Sequence, residues 1–285
     1  PKELEETRKK LILLLLGVIL GGIIILLVLL NPLDWGKKKE EPKTEEKEEE
    51  NVEEEIPLGT INLSNEVVQR LNNLVKFNED DFLVIDLFPL YTKEVLTSAA
   101  IPNNIKLYMM KKNPSFNDML VECGIEEYIK TCDPNGLTID KTQFDKLVGE
   151  TFGPNVSVTY DPINYLYYSV SSNSKKLTLT YNDTNYIVKC NEYQESTVLN
   201  KYVQQELVHA VKTKDGIEIY QNVVFISPSG VYKDPSFTTL ITNDKAASST
   251  EYLAKGSVYK YTFVETEKAN YYLSKIELVK EGNPQ

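Results

Sequence analysis

The chain has one histidine and three cysteines in 285 residues. It carries no recognisable catalytic, nucleotide-binding or metal-binding motif. Each shortage removes a class of function. With His209 alone there is no second imidazole for a zinc site, and Cys123, Cys132 and Cys190 are not spaced to build one. A calcium loop also fails. Thr131-Cys132-Asp133-Pro134-Asn135-Gly136 has glycine in sixth place, but Thr131 stands where the first ligand belongs and Thr142 where a bidentate Glu belongs. Dense basic clusters are missing as well. Residues 1–58 hold 9 of the 31 basic and 14 of the 42 acidic side chains, leaving 22 and 28, about −6, for the remainder. Phosphate backbones need concentrated Lys and Arg, so nucleic acid is excluded as a ligand. No cofactor is expected.

The clearest feature present is Leu11 to Leu30, LILLLLGVILGGIIILLVLL, 20 residues without a polar side chain. As a helix it is about 30 Å long, one hydrocarbon core thick. A cleaved signal peptide has a shorter core and a small-x-small site, and Leu30-Asn31-Pro32-Leu33-Asp34-Trp35 offers none. No cysteine follows the run, so a lipoprotein anchor is excluded. The expectation is an uncleaved single-pass helix in the lipid bilayer. Arg8, Lys9 and Lys10 precede it and Lys37, Lys38 and Lys39 follow it, so the positive-inside count is nearly balanced. Long C-terminal domains translocate largely regardless of charge. Residues 1–10 are therefore expected as a cytoplasmic tail and the rest as extracytoplasmic, with Trp35 at the outer headgroup level. Gly17 and Gly21 form a GxxxG, the expected face for a homodimer through the membrane helix.

Residues 31–58 read as a linker. Positions 37–57 contain ten Glu and five Lys, and only Val52 and Ile56 could enter a core. Such a segment cannot bury enough apolar area to offset the entropy of ordering it. It is a self-repelling spacer or a solvated helix, and in either form a stalk.

The soluble region divides by pattern into a helical half, 59–153, and a β-rich half, 154–285. Ser64 is the expected N-cap of a helix whose face is Val67, Val68, Leu71, Leu74 and Val75. A second helix follows Pro102, with Ile105, Tyr108 and Met109 inward, and a third follows Ser115. Asp133-Pro134-Asn135-Gly136 is a turn. Asp140 with Gln143 makes a capping box for the clearest helix, which Gly153-Pro154 stops. Strands follow in three hairpins: 176–181 with 185–190, 203–213 with 217–226 around Asp215-Gly216, and 257–264 with 271–279. A short helix is expected near Ser248 to Leu253. Helices first and six or seven antiparallel strands after them give an α+β domain with helices on one sheet face. This order resembles the curved sheet wrapped around helices of the NTF2-like folds. The likeness is one of architecture, with no motif residue by residue.

His209 lies in Glu206-Leu207-Val208-His209-Ala210-Val211, where 207, 209 and 211 share a face, and reads as a structural strand histidine. Outside the cytoplasm a disulfide is permitted. Cys123 with Cys132 is the expected pair if Gly124 breaks the helix between them, and Cys190 is expected as a buried free thiol. Asn62, Asn155 and Asn182 begin sequons in a chain rich in Asn, Ser and Thr, and carry no weight. The Lys, Asn, Ile and Tyr bias suggests an AT-rich bacterial genome.

Tyrosine is abundant: 18 in all, 15 of them from Tyr160 on. Strand aromatics mostly pair across a sheet. Tyr259, Tyr261 and Phe263 share one face and are expected in the core. Tyr271 and Tyr272 must point to opposite faces. With Tyr167 and Tyr168 they form the candidate surface for a protein partner or a cell-wall glycan. The functional expectation is a membrane-anchored extracytoplasmic binding or assembly module of a bacterial envelope. The alternatives are a secretion- or conjugation-complex subunit, and an envelope hydrolase with paired carboxylates. Caps, turns and core pattern all lie within 59–285, so that fragment alone should melt cooperatively with a mixed α and β circular dichroism spectrum. Aggregation or a coil spectrum would move the domain boundary.

Overall fold

The computed structural model describes residues 56–77, 86–158, 165–170, 173–181, 184–190, 201–244, 248–266 and 270–279, with the side chains of 165–176 and 181 excepted. The apolar run with Gly17 and Gly21, and most of the charged linker, lie outside them. Among the described residues no helix is long and apolar enough to cross a membrane. The described residues belong to one compact unit.

Six α-helices are described, and three begin where a side chain caps them. In α1 (Glu66–Val75) the cap is Asn65, not Ser64. Its side-chain oxygen accepts from the amides of Val67 and Val68. Ser64 donates instead to Asn62 Oδ1 through both its amide and its hydroxyl. Helix α2 (Asn103–Met110) follows Pro102, with Ile105, Leu107, Met109 and Met110 buried and Tyr108 only half-buried. Asn113 caps α3 (Pro114–Glu122). Gly124, at φ +85°, turns the chain directly into α4 (Ile125–Thr131), which ends at Cys132 in the left-handed region. Asp140 caps α5 (Lys141–Phe152) by accepting from Gln143 N–H. The last helix, α6, is Ser249–Leu253.

Twelve strands are described, in two open antiparallel sheets rather than one. Four make a smaller sheet in the order β3-β6-β5-β4: β3 (Leu137–Asp140), β4 (Tyr165–Val170), β5 (Asn173–Tyr181) and β6 (Asn185–Cys190). The larger sheet has β1 (Gly59–Thr60), β2 (Val95–Thr97), β7 (Tyr202–Lys212), β8 (Gly216–Ser227), β11 (Ser257–Glu265) and β12 (Tyr271–Leu278). Its order is β1-β7-β8-β11-β12-β2, with β9 (Gly230–Tyr232) and β10 (Leu240–Thr242) extending the far end of β8. The Asp215-Gly216 hairpin forms as expected. A Cβ on Gly216 would lie 1.9 Å from Phe263 O, so only glycine lets β11 close against this turn. Glu265 N–H then bonds Asp215 O at 2.9 Å.

One expected alternation breaks. The β7–β8 register shifts between Leu207 and His209, and Val208 is exposed there. This bulge reverses the facing of the strand. Val203 and Gln205 are buried before it, Ala210 and Lys212 after it, and His209 stands on the outer face with its ring 5.5 Å from that of Tyr220.

The two sequence halves do not form separate cores. One apolar cluster runs from Ile61 and Val68 through Phe144 and Val188 to Tyr261 and Ile276. The halves also exchange strands, since β1 and β2 join the larger sheet and β3 joins the smaller. On the larger sheet the inner face is Ile217, Ile219, Val223, Tyr259, Tyr261, Phe263, Leu273 and Ile276, so the expected burial of Tyr259, Tyr261 and Phe263 holds. Each such side chain contributes about 1.5–3 kcal/mol of burial. A second cluster forms on the outer face at the far end of β8, where Val224 and Ile226 meet Val231 and α6 residues Tyr252 and Leu253.

The expected Cys123–Cys132 bridge is corrected: Cys132 bonds Cys190, with a Cα–Cα distance of 5.5 Å, and Cys123 is free. Gly124 does break the helix, but α4 resumes at once. Its seven residues span about 10 Å, too far for the Cα separation of roughly 4.4–6.8 Å that a disulfide needs.

A polar node sits inside the apolar core. Gln205 Nε2 lies 2.7 Å from Gln221 Oε1, 2.9 Å from Tyr91 Oη, 3.0 Å from Val75 O and 3.1 Å from Tyr261 Oη. Its oxygen accepts from Phe77 N–H at 2.9 Å, and Gln221 Nε2 donates to Asn72 Oδ1 at 2.8 Å. Burial pushes the Tyr91 and Tyr261 phenols well above their ordinary range, so both stay protonated. Replacing Gln205 with Leu strands several of these groups at once. The expected loss is about 2–4 kcal/mol in urea unfolding, against about 1 kcal/mol for Tyr261→Phe, which removes one hydroxyl. Equal effects of the two would show that the node is not shared.

Candidate functional site

The outer face of the larger sheet is polar along β8, β11 and β12, and the pleat builds it. Alternate residues of β8, β11 and β12 must point away from the core. On adjacent strands those residues are Glu218 and Tyr220, then Lys260 and Thr262, then Lys275 and Glu277. Register brings them into a chain of ion pairs. Lys260 Nζ is 3.2 Å from Glu218 Oε1 and 3.1 Å from Glu277 Oε2, and Lys275 Nζ is 2.9 Å from the same Glu277 oxygen. Tyr220 donates to Glu218 Oε2 at 2.9 Å. Partial burial of Tyr220, with the Glu218 hydrogen bond and charge, pushes the phenol up to about 12. Burial opposes the Glu277 charge, but the two lysines outweigh it and hold the carboxyl below the usual range.

The ion pairs fix the charge state of this face. The two carboxylates share one lysine, and Glu277 is kept ionised instead of being poised to give up a proton near neutrality. Among the described residues no group of three His, Cys, Asp or Glu side chains converges as a metal site. His209 lies on the same face, its ring 5.5 Å from that of Tyr220.

The tyrosines singled out from sequence fall on different sheets. Tyr271 and Tyr272 are on β12, Tyr167 and Tyr168 on β4, and the side chains of the latter two lie outside the described residues. Both β12 tyrosines are half-buried. The Tyr271 hydroxyl is 3.1 Å from Lys212 Nζ and donates to Glu265 Oε1 at 3.2 Å, and Lys212 also pairs with Glu265. Tyr272 packs on Gly153, where a Cβ would come within 2.9 Å of the ring.

Two features were not legible beforehand. Lys106 lies between Ile105 and Leu107 and is itself buried, with Nζ donating to Ala99 O at 3.1 Å and Ser157 O at 3.3 Å. Burial lowers its pKa. A lysine in mid-helix carries no sequence signal of this kind. The second is the loop between β9 and β10. Phe237 sits at φ +58°, rare for a bulky residue, with its ring edge-on to Phe88 at 5.5 Å and to Tyr232 at 5.4 Å. Lys201 Nζ lies 4.6 Å from its centroid. The Asp234 carboxylate holds the loop, accepting from the amides of Ser236, Thr238 and Thr239 at 3.1, 3.1 and 2.7 Å and from the Thr238 hydroxyl at 3.0 Å. An Asp followed by Pro, Ser and Thr was the available signal.

No family model, curated protein or solved structure matches this chain.

Burial opposes the Asp234 charge, but hydrogen bonds from Thr239 and Thr238 prevail and depress its pKa. The stabilisation is thus present above the ordinary Asp value of about 3.9 and is lost as pH falls through the depressed folded value. The Thr238 and Thr239 amide resonances should shift together in that acid window. Asp234→Ala should show the released-loop shifts already at neutral pH, and unmoved amides in the variant would remove Asp234 from this role.

Proposed function

We propose that the protein is a membrane-anchored binding or assembly module of a bacterial cell envelope, with its C-terminal domain on the extracytoplasmic side. The carrying observation is the apolar run 11–30, followed by a charged spacer and a compact α+β unit. The Cys132–Cys190 bond supports the sidedness, because disulfides persist in oxidising compartments. The neutralised ladder of Glu218, Lys260, Glu277 and Lys275 supports binding over catalysis, and an uncharged polar partner such as a protein surface or a cell-wall glycan suits it. Gly17 and Gly21 bring two anchors together as a homodimer.

A narrower reading, a subunit of a secretion or conjugation complex, is favoured by one observation. Helices α1 to α5 precede the long strands of an antiparallel sheet, an order like that of NTF2-like outer domains, while α6 packs on the opposite face from the main core. The smaller sheet is additional to that arrangement.

Protease added to intact spheroplasts should remove the domain and leave a short membrane-bound remnant. Protection until lysis would overturn the sidedness. Recovery of the whole chain in the soluble fraction would overturn the anchor.

A further inference from the structure

The disulfide joins the end of α4 to the end of β6, whose sheet partner on one side, β3, is a four-residue strand. Cys132 ends α4, and four residues of turn separate it from β3. Cys190 ends β6, two residues beyond Val188, the partner of Leu137. The bond therefore closes one end of the β3–β6 ladder. Strand β3 has only four residues and pairs on one side alone among the described residues. Tyr128 of α4 reinforces the same junction, accepting from Cys190 N–H at 2.9 Å. Gly136 packs so tightly here that a Cβ would meet Ile187 Cγ2 at 2.6 Å and Val188 O at 2.8 Å. The larger sheet has no such dependence. Strands β7, β8, β11 and β12 have 11, 12, 9 and 8 residues, and the buried Gln205 node ties three elements of that half without any sulfur.

We propose that the Cys132–Cys190 bond is a redox-sensitive clamp on the smaller sheet. Closed, it makes α4, β3 and β6 one body. Opened by a dithiol, it lets the α4 end and the β6 end part, so the smaller sheet loosens while the larger one keeps its order. In the reduction two dithiol sulfurs form their own disulfide, and Cys132 and Cys190 are left as thiols, with two electrons and two protons transferred. Cys123 cannot take the place of Cys190, since α4 holds it away from Cys132. The clamp does not depend on the membrane side proposed above.

The test is hydrogen–deuterium exchange on the full chain in detergent micelles, before and after dithiothreitol, with alkylation to count thiols. Unreduced, denatured protein should take one alkyl group, at Cys123, and reduced protein three. Reduction should speed exchange in α4, β3 and β6 by about tenfold or more and leave β8 and β11 within about twofold, the signature of sub-global opening. The Cys132→Ser, Cys190→Ser double variant should match the reduced protein, and Cys123→Ser the oxidised one. If the double variant does not accumulate, the reduced wild type supplies the same comparison. Three alkyl groups without reduction, equal acceleration in both sheets, or no change in either would each overturn the clamp.

Discussion

The interior of the domain is organised around the side-chain amide of Gln205. A buried amide costs free energy unless its donors and acceptor are met, and meeting them here demands contributions from four distant places in the sequence. Val75 and Phe77 come from the end of α1, Tyr91 from the turn Phe88–Tyr91, Gln221 from β8 and Tyr261 from β11. An all-apolar core would tolerate sliding of α1 over the sheet. This one does not, because any slide unpairs several groups at once. The node therefore supplies specificity of packing together with stability.

That fixed interior determines what the outer face can be. With Gln221, Tyr261 and Ile276 held inward, the pleat obliges Tyr220, Lys260 and Glu277 to stand outward. Their register then assembles the Glu218–Lys260–Glu277–Lys275 chain. The ion pairs are partly buried, with their side chains 20% to 37% exposed. Their consequence is chemical, since two lysines and two carboxylates balance each other and leave this face polar without net charge. The Phe237 loop is a separate, carboxylate-stapled structure on the extension formed by β9 and β10.

Local signals carried most of the helices and hairpins. Asp140 and Asp215-Gly216 marked an element start and a turn where a side chain or a close backbone approach leaves few alternatives. What escaped was non-local. Strands β1, β2 and β3 have two, three and four residues, too short for an alternation to register, and they exist because a longer strand offers its edge. The choice of Cys190 over Cys123 as partner for Cys132 depends on where β6 lies. The bulge at Val208 reversed a face that simple alternation assigns, and so moved Ala210 inward. Gln205, in a strand of mixed polarity, has nothing in its neighbours to distinguish it from Gln204.

The central claim is that the node acts as one unit. A double-mutant cycle of Gln205→Leu and Tyr261→Phe, read by denaturant unfolding, tests it directly. The account predicts a coupling energy above about 1 kcal/mol, because each change already strands the other's partner. Additivity within about 0.3–0.5 kcal/mol would contradict it, and would mean that these residues are separate buried hydrogen bonds with no common organising role.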